Sequence, residues 1–328
     1  MTHASDQSQS RLAAKYIATF VVVLALVAAA TFFIPRITDH FLHEHGGAIL
    51  TDVAKSWSLT ILNPLYWVFL LVVALLELRW AARAGEGMLS VGAAQDFVWL
   101  LLAPIFNLTI IFFYLQVLNQ IYEGPLHSAS LDVEAVVGVA LTAVLAFLLA
   151  DFFMWLSHFI RHKVPQFWRF HQVHHSQTKM SVLTDNRVHF IESMISASIS
   201  YIPARLLGLS DEASTFLAFA TVFFTGFTHA NLRTNLGPIR WLTVTPQSHR
   251  VHHSVEPQHW DHNFGAVLSI WDRMFRTQFK GANDYPAIGI EDPTFPLEQS
   301  PAPTSVLRTY VLQIVHPFKM VFKDFQKT

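Results

Sequence analysis

From Ala135 to Ser157 the chain is apolar apart from one carboxylate, Asp151. It then passes directly into HFIRHKVPQFWRFHQVHHS, which carries His158, His162, His171, His174 and His175. About twenty apolar residues suffice for one bilayer crossing, and a helix is the form in which a lone segment satisfies its own backbone there. The chain therefore has to deliver a dense set of imidazoles at a membrane surface, on the end of a spanning helix. A second HxxHH, formed by His249, His252 and His253, must fold back toward the first.

Three further charge-free runs, Tyr16–Pro35, Ser56–Leu76 and Phe97–Tyr122, have spanning length. The last contains Pro104 and Asn107, which predict a kink or a packed polar contact. Four transmembrane helices are expected, the first a retained anchor, because no small-residue cleavage pattern follows it. Between Glu192 and Arg205, and again from Ala213 to Phe227, the uncharged runs are too short to span alone. They read as a short membrane-dipping helical hairpin turning at LLGLSDEA. The part after residue 230 is polar enough for a cytoplasmic helical cap. Thr245-Pro246 predicts a helix start that places His249, His252 and His253 in its first turns. Near the C-terminus, Val306, Tyr310, Val311, Ile314, Phe318, Val321 and Phe325 recur at helical spacing among basic residues. They predict an interfacial amphipathic helix broken near Pro317, or one packed on the protein's own cap. The fold class is thus an all-α integral membrane protein. Its parts are a tail at 1–14, an N-terminal transmembrane region at 15–135, a histidine-bearing domain at 136–280, and a C-terminal loop and amphipathic helix at 281–328.

Only 14% of residues are charged, against about 25% in soluble domains. A net charge of −1 provides no basic field for nucleic acid. Arg161, Lys163, Arg169, Lys179 and Arg187 put the 158–190 segment, and with it both termini, in the cytoplasm. The short, plain N-terminus favours a bacterial inner membrane. The absence of cysteine excludes thiolate ligands and an iron–sulfur centre in this chain. A metal site must then use imidazole, carboxylate and water.

The spacings carry the chemistry. His158 and His162 stand at i and i+4, on one face of a helix, and HxxHH turns up to three imidazoles one way. With 18 histidines in 328 residues, three at fixed positions arise by chance only about 0.05 times per chain. Asp151, seven residues before His158, is placed to accept the second ring N–H of a ligand and fix its tautomer. Eight or more histidines exceed the needs of one ion, so two are implied. A nitrogen-rich, thiolate-free pair suits iron, and ligand type alone also admits zinc or copper. His40, His43 and His45 form a separate group read as a solvated loop.

These residues resemble the fatty acid hydroxylase / sterol desaturase superfamily of membrane di-iron oxygenases. The resemblance covers about 140–278 and rests on D-x6-HFIRH, FWRFHQVHHS with Met180, Thr184, Arg187, His189 and Glu192, then PQSHRVHH and DHNFGAVLSIWDRMFRT. Phe264 stands where the family has tyrosine. The resemblance makes 136–280 the catalytic domain. It implies two iron ions held by His158, His162, His171, His174, His175, His249, His252 and His253, with His229 of FTHAN as a further ligand. His189 lies where many members read H-P-x-E; Phe190 replaces that proline, leaving ligand or support open. Asn263 is placed to bond a metal-bound water or support a ligand. His262, like His259, is read as standing behind the ligands or on the surface.

The implied activity is O2-dependent hydroxylation of an unactivated C–H bond in a membrane lipid, whether fatty acyl, sphingoid or sterol-like. Desaturation or ether-lipid cleavage is the alternative within the superfamily. A zinc-dependent membrane hydrolase or a metal transporter is the alternative outside it. With no dinucleotide fingerprint and no haem-attachment motif, electrons must come from a separate donor, a ferredoxin, a cytochrome b5-like protein or a reductase.

Overall fold

The computed structural model describes residues 61–326, apart from 127, 129–130, 132 and 207–220. The tail, the expected span at 16–35, the loop with His40, His43 and His45, and the hairpin turn after residue 206 lie outside the described residues.

Helix α1, Pro64–Arg79, starts where Asn63 Oδ1 accepts the Leu65 N–H at 2.9 Å and proline fills the first helical position. Tyr66, Leu70, Val73 and Glu77 are its buried face, while Leu65, Val68, Leu71 and Leu75 stand exposed. Helix α2, Val91–Ile121, is capped by Ser90. Its first half is core: Val98, Trp99, Leu100 and Leu101 are at most 2% exposed. Only its second half turns Phe113, Val117 and Ile121 outward. The apolar run expected as a third span therefore begins inside the folded body, because an apolar run has the same composition whether protein or lipid covers it. Asn107 makes the expected polar contact, donating to the Val188 carbonyl at 3.1 Å.

A π-helical turn, Tyr122–Leu126, and the short α3, Val133–Val137, lead to Gly138. Gly138 takes φ +79°, open to glycine without strain. From there α4 runs through Val139–Lys163. Among the described residues, one helical segment, Val144–Lys163, is long and apolar enough to cross a membrane. The count of four spans remains an expectation.

Val164 is extended, as a residue before proline prefers, and Pro165 opens α5, Pro165–His175. Helix α6, Phe190–Leu206, packs on α2 and α4, and a helical stretch at 221–229 returns the chain to the histidines. The cap is mostly irregular. It holds 3-10 turns at Thr184–Asn186, Gly237–Trp241 and Pro257–His259, with α7, Pro246–His252, and α8, Ile270–Met274. Among the described residues β-pairing amounts to three isolated bridges.

The C-terminal helix α9, Pro303–Phe325, corrects one expectation: it passes Pro317 unbroken. An internal proline removes one helical bond. Tyr310, Gln313, His316 and Pro317 are buried against the body, which supports the helix on both sides of the proline, and Gln313 Oε1 accepts the Trp99 indole N–H at 2.8 Å. The helix packs on α2 and α5, while Val311, Phe318, Phe322 and Phe325 remain exposed. One face thus packs on the protein, as the second reading has it, and the interfacial reading remains an expectation for the exposed face.

Candidate metal centre

Four elements converge. α4 contributes His158 and His162 one turn apart, and α5 contributes His171, His174 and His175. The 221–229 stretch ends on His229, and α7 brings His249 and His252 with His253 just beyond it. The start of α7 explains that placement. Thr245 Oγ1 accepts the Ser248 N–H at 3.0 Å and Ser248 Oγ accepts the Thr245 N–H at 2.9 Å, a reciprocal cap.

The nine side chains form two groups. His158, His162, His171, His175 and His252 make one; His174, His229, His249 and His253 make the other. Within each group one nitrogen per ring lies within 4.8 Å of all the others. Neighbouring Nε2 atoms stand 2.9 Å apart for His158 and His252, 3.2 Å for His162 and His175, and 3.2 Å for His171 and His175. In the second group the separations are 3.2 Å for His174 and His229, 2.8 Å for His229 and His249, and 3.1 Å for His249 and His253. Two ligands at right angles on bonds of about 2.1 Å are themselves about 3.0 Å apart.

Tautomers make the fit sharper. His158 donates Nδ1–H to the Phe264 carbonyl at 2.9 Å and His252 donates to the His262 carbonyl at 2.8 Å. Both Nε2 atoms then carry lone pairs, 2.9 Å apart, and two lone pairs form no hydrogen bond. A shared cation is what that geometry accommodates. His229 likewise donates Nδ1–H to the Thr225 carbonyl at 2.7 Å. Burial, followed by the neighbouring imidazoles, holds His175, His249 and His253 well below the ordinary histidine range, burial and then the Arg161 charge do the same for His171, and burial brings His252 down to about 4. The rings are neutral at pH 7, the state a metal needs.

Glu192 is a site residue to which the motif assigned no job. Its Oε1 accepts the His171 Nδ1–H at 3.0 Å and also pairs with Arg161. A glutamate one helical turn past a histidine in a chain with few charges is the available hint, but its partner lies on another helix. Asp272 is another. It accepts N–H bonds from Phe264 at 2.9 Å, Gly265 at 2.8 Å and the Trp155 indole at 3.0 Å. It therefore sets the Phe264 carbonyl that orients His158. Gly265 is required there, because a Cβ would lie 2.7 Å from the Leu268 carbonyl oxygen and 2.8 Å from Val244.

Four other expected residues stand outside both groups, and the first of them corrects its expected role. Asp151 bonds no histidine: it accepts from Val267 N, Leu268 N and Trp271 Nε1 at 3.0, 3.1 and 2.8 Å, tying the 267–271 segment to α4. Helical facing alone had aimed it at His158, but the cap's backbone donors reach it first. His189 is in neither group. Its Nε2 donates to the Ile314 carbonyl and its Nδ1 accepts from Ile191 N, each at 3.1 Å. Asn263 donates an amide N–H to the Ser248 carbonyl, beside the ligand His249, and accepts from Phe279 N and Gln278 Nε2, so it braces α7 and touches no ligand ring. His262 acts through its carbonyl, while its ring bonds the Trp260 carbonyl.

Two cavities reach the centre. One of about 390 Å³, between α4, α6 and the 221–229 stretch, is lined by His158 and His171 of the first group and by His174, His229 and His249 of the second. The other, about 520 Å³, lies under the cap and meets His162, His175 and His252, members of the first group alone.

Residues 143–277, which include all nine histidines, match the family model for fatty acid hydroxylase. An ornithine lipid hydroxylase of Rhizobium tropici is 32% identical over 139 residues, 42% of each chain. Alkylglycerol monooxygenase of Xenopus tropicalis is 35% identical over 133 residues, 40% of this chain and 29% of that one. The human alkylglycerol monooxygenase is 32% identical over 148 residues, 45% and 33% of the two chains. The matched stretch spans less than half the length of each relative. No solved structure matches the chain.

Proposed function

Starting from its membership of the fatty acid hydroxylase family over residues 143–277, we propose that the chain hydroxylates an unactivated C–H bond of a membrane lipid at a pair of iron ions. The observation that carries this reading is the convergence of nine imidazoles, eight buried and His162 half-buried, all through Nε2, into two adjacent groups at the end of an apolar helix. Five histidines would hold one ion and four the other. Bound iron would supply the O2 chemistry, placing one oxygen atom in the C–H bond while two electrons and two protons reduce the other to water.

The chain's own part is positioning and exclusion. Glu192 and the Phe264 and His262 carbonyls hold three of the rings with their lone pairs inward. The apolar cores on either side, with Val173 and Val251 fully buried beside the ligands, keep bulk water out. The 390 Å³ cavity touches both groups and opens between helices, so it is where a lipid carbon meets both ions. A separate donor supplies the electrons. The lysines and arginines of 158–190 support a cytoplasmic face for this chemistry. Hydroxylation is favoured over desaturation because the relatives are named hydroxylase and monooxygenase. Ether cleavage stays as the second reading, since some of them are named for alkylglycerols.

The test is metal analysis of the anaerobically purified full chain together with lipid profiles with and without the gene. About two irons and an O2-dependent hydroxylated lipid are expected. Full iron without any O2-dependent lipid change would sink the proposal, and zinc alone would point to a hydrolase.

A further inference from the structure

On the flank of α4 the cap presents an exposed apolar patch with unpaired cations. Ile239, Trp241, Leu242, Met274 and Phe275 are 59, 59, 59, 66 and 49% exposed. Arg240, Arg273 and Arg276 stand among them. Among the described residues none of the three forms an ion pair. The one carboxylate in the same helix, Asp272, is buried and faces inward to Phe264 and Gly265. The Arg273 guanidinium lies 4.1 Å above the Trp241 ring and donates to the Arg240 and Trp241 carbonyls at 2.9 and 3.2 Å. Arg240 lies 5.6 Å from the same ring.

The patch is fixed at one level of the apolar helix. Phe275 stacks on Trp155 at 4.5 Å, Trp271 meets Phe152 edge-on at 5.2 Å, and Asp151 holds the Trp271 indole. Water disfavours five contiguous exposed apolar side chains, and hydrocarbon disfavours three unpaired guanidiniums. A headgroup layer suits both, with tryptophan at the interface and arginine stems in the apolar zone beneath their charges. Cations without carboxylates specify the sign of that layer.

We propose that Arg240, Arg273 and Arg276, with Trp241 and its apolar neighbours, seat the cap in the headgroup layer of an anionic phospholipid bilayer. This takes the apolar N-terminal part of α4 to lie in the membrane and is independent of the catalytic reading. It sets the edge of the hydrocarbon at Asp151–Trp155, so His158 stands roughly 5–10 Å above it at 1.5 Å per helical residue. It also places the anchored phosphates beside the 390 Å³ cavity, which Phe153, Met154 and Ala266 line at that level.

The chain has no cysteine, so a nitroxide on Met274→Cys in the full chain reports depth directly, in nanodiscs of phosphatidylcholine with or without phosphatidylglycerol. The label should collide with O2 several-fold more than with a water-soluble nickel chelate, and lie deeper when phosphatidylglycerol is present. That lipid dependence should vanish when Arg240→Gln and Arg276→Gln are added; among the described residues neither side chain makes a hydrogen bond. Three results would overturn the proposal. These are nickel collisions equal to those of a label on exposed Glu291→Cys, immersion indifferent to lipid charge and to the arginines, or shielding from both reagents, which signifies a protein partner. None of these readings uses activity.

Discussion

Glu192 reaches His171 through one hydrogen bond. A carboxylate behind an imidazole raises its basicity and locks the tautomer, and loss of such a partner costs about 10–100-fold in metal affinity. Glu192→Gln should therefore weaken metal binding by about that factor in a chelator competition while the helical circular dichroism is unchanged. The histidines themselves were legible, because ligand spacing on a helix is a local property. Their supports were not. Asp272 reaches Phe264 across a turn and Asp151 reaches Val267 across 116 residues, distances along the chain that no periodicity encodes. Asp151 shows the trap: its helical phase relative to His158 was read correctly, but phase says only which way a side chain points.

At the scale of elements, α7 is short and depends on its cap. Thr245 and Ser248 satisfy each other's N–H groups, and Pro246 occupies the position where no N–H is needed. Thr245→Ala should lower stability by about 1 kcal/mol, read as a lower denaturation midpoint, with metal bound at His249 and His253 released at lower chelator concentration. The start of α7 and the Pro165 break were plain in the sequence, since capping and proline geometry act over three or four residues. The passage of α9 through Pro317 and the burial of the first half of α2 were not. Both depend on what packs alongside, here Trp99 against Gln313 and Tyr310.

For the whole molecule, the neutral histidine cluster makes stability depend on pH. Unfolded imidazoles titrate near 6.5, while folding lowers their affinity for protons, in His252 to about 4. Between those values the unfolded chain takes up protons that the folded chain does not, so stability falls as pH drops through that window. Metal-free protein should show its melting temperature declining from about pH 6.5 downward, and bound metal should carry the decline to lower pH. By itself the sequence determined the helical class, the eight histidines of the spaced motifs and their delivery by a helix leaving an apolar segment, because periodicity, capping and ligand spacing are set by near neighbours; His229 entered only through the family resemblance. Tertiary structure alone decided how the nine divide into groups of five and four, which backbone carbonyls fix their tautomers, and which cavity meets both groups. Those are relations between elements far apart in the chain, settled only when the packing is complete.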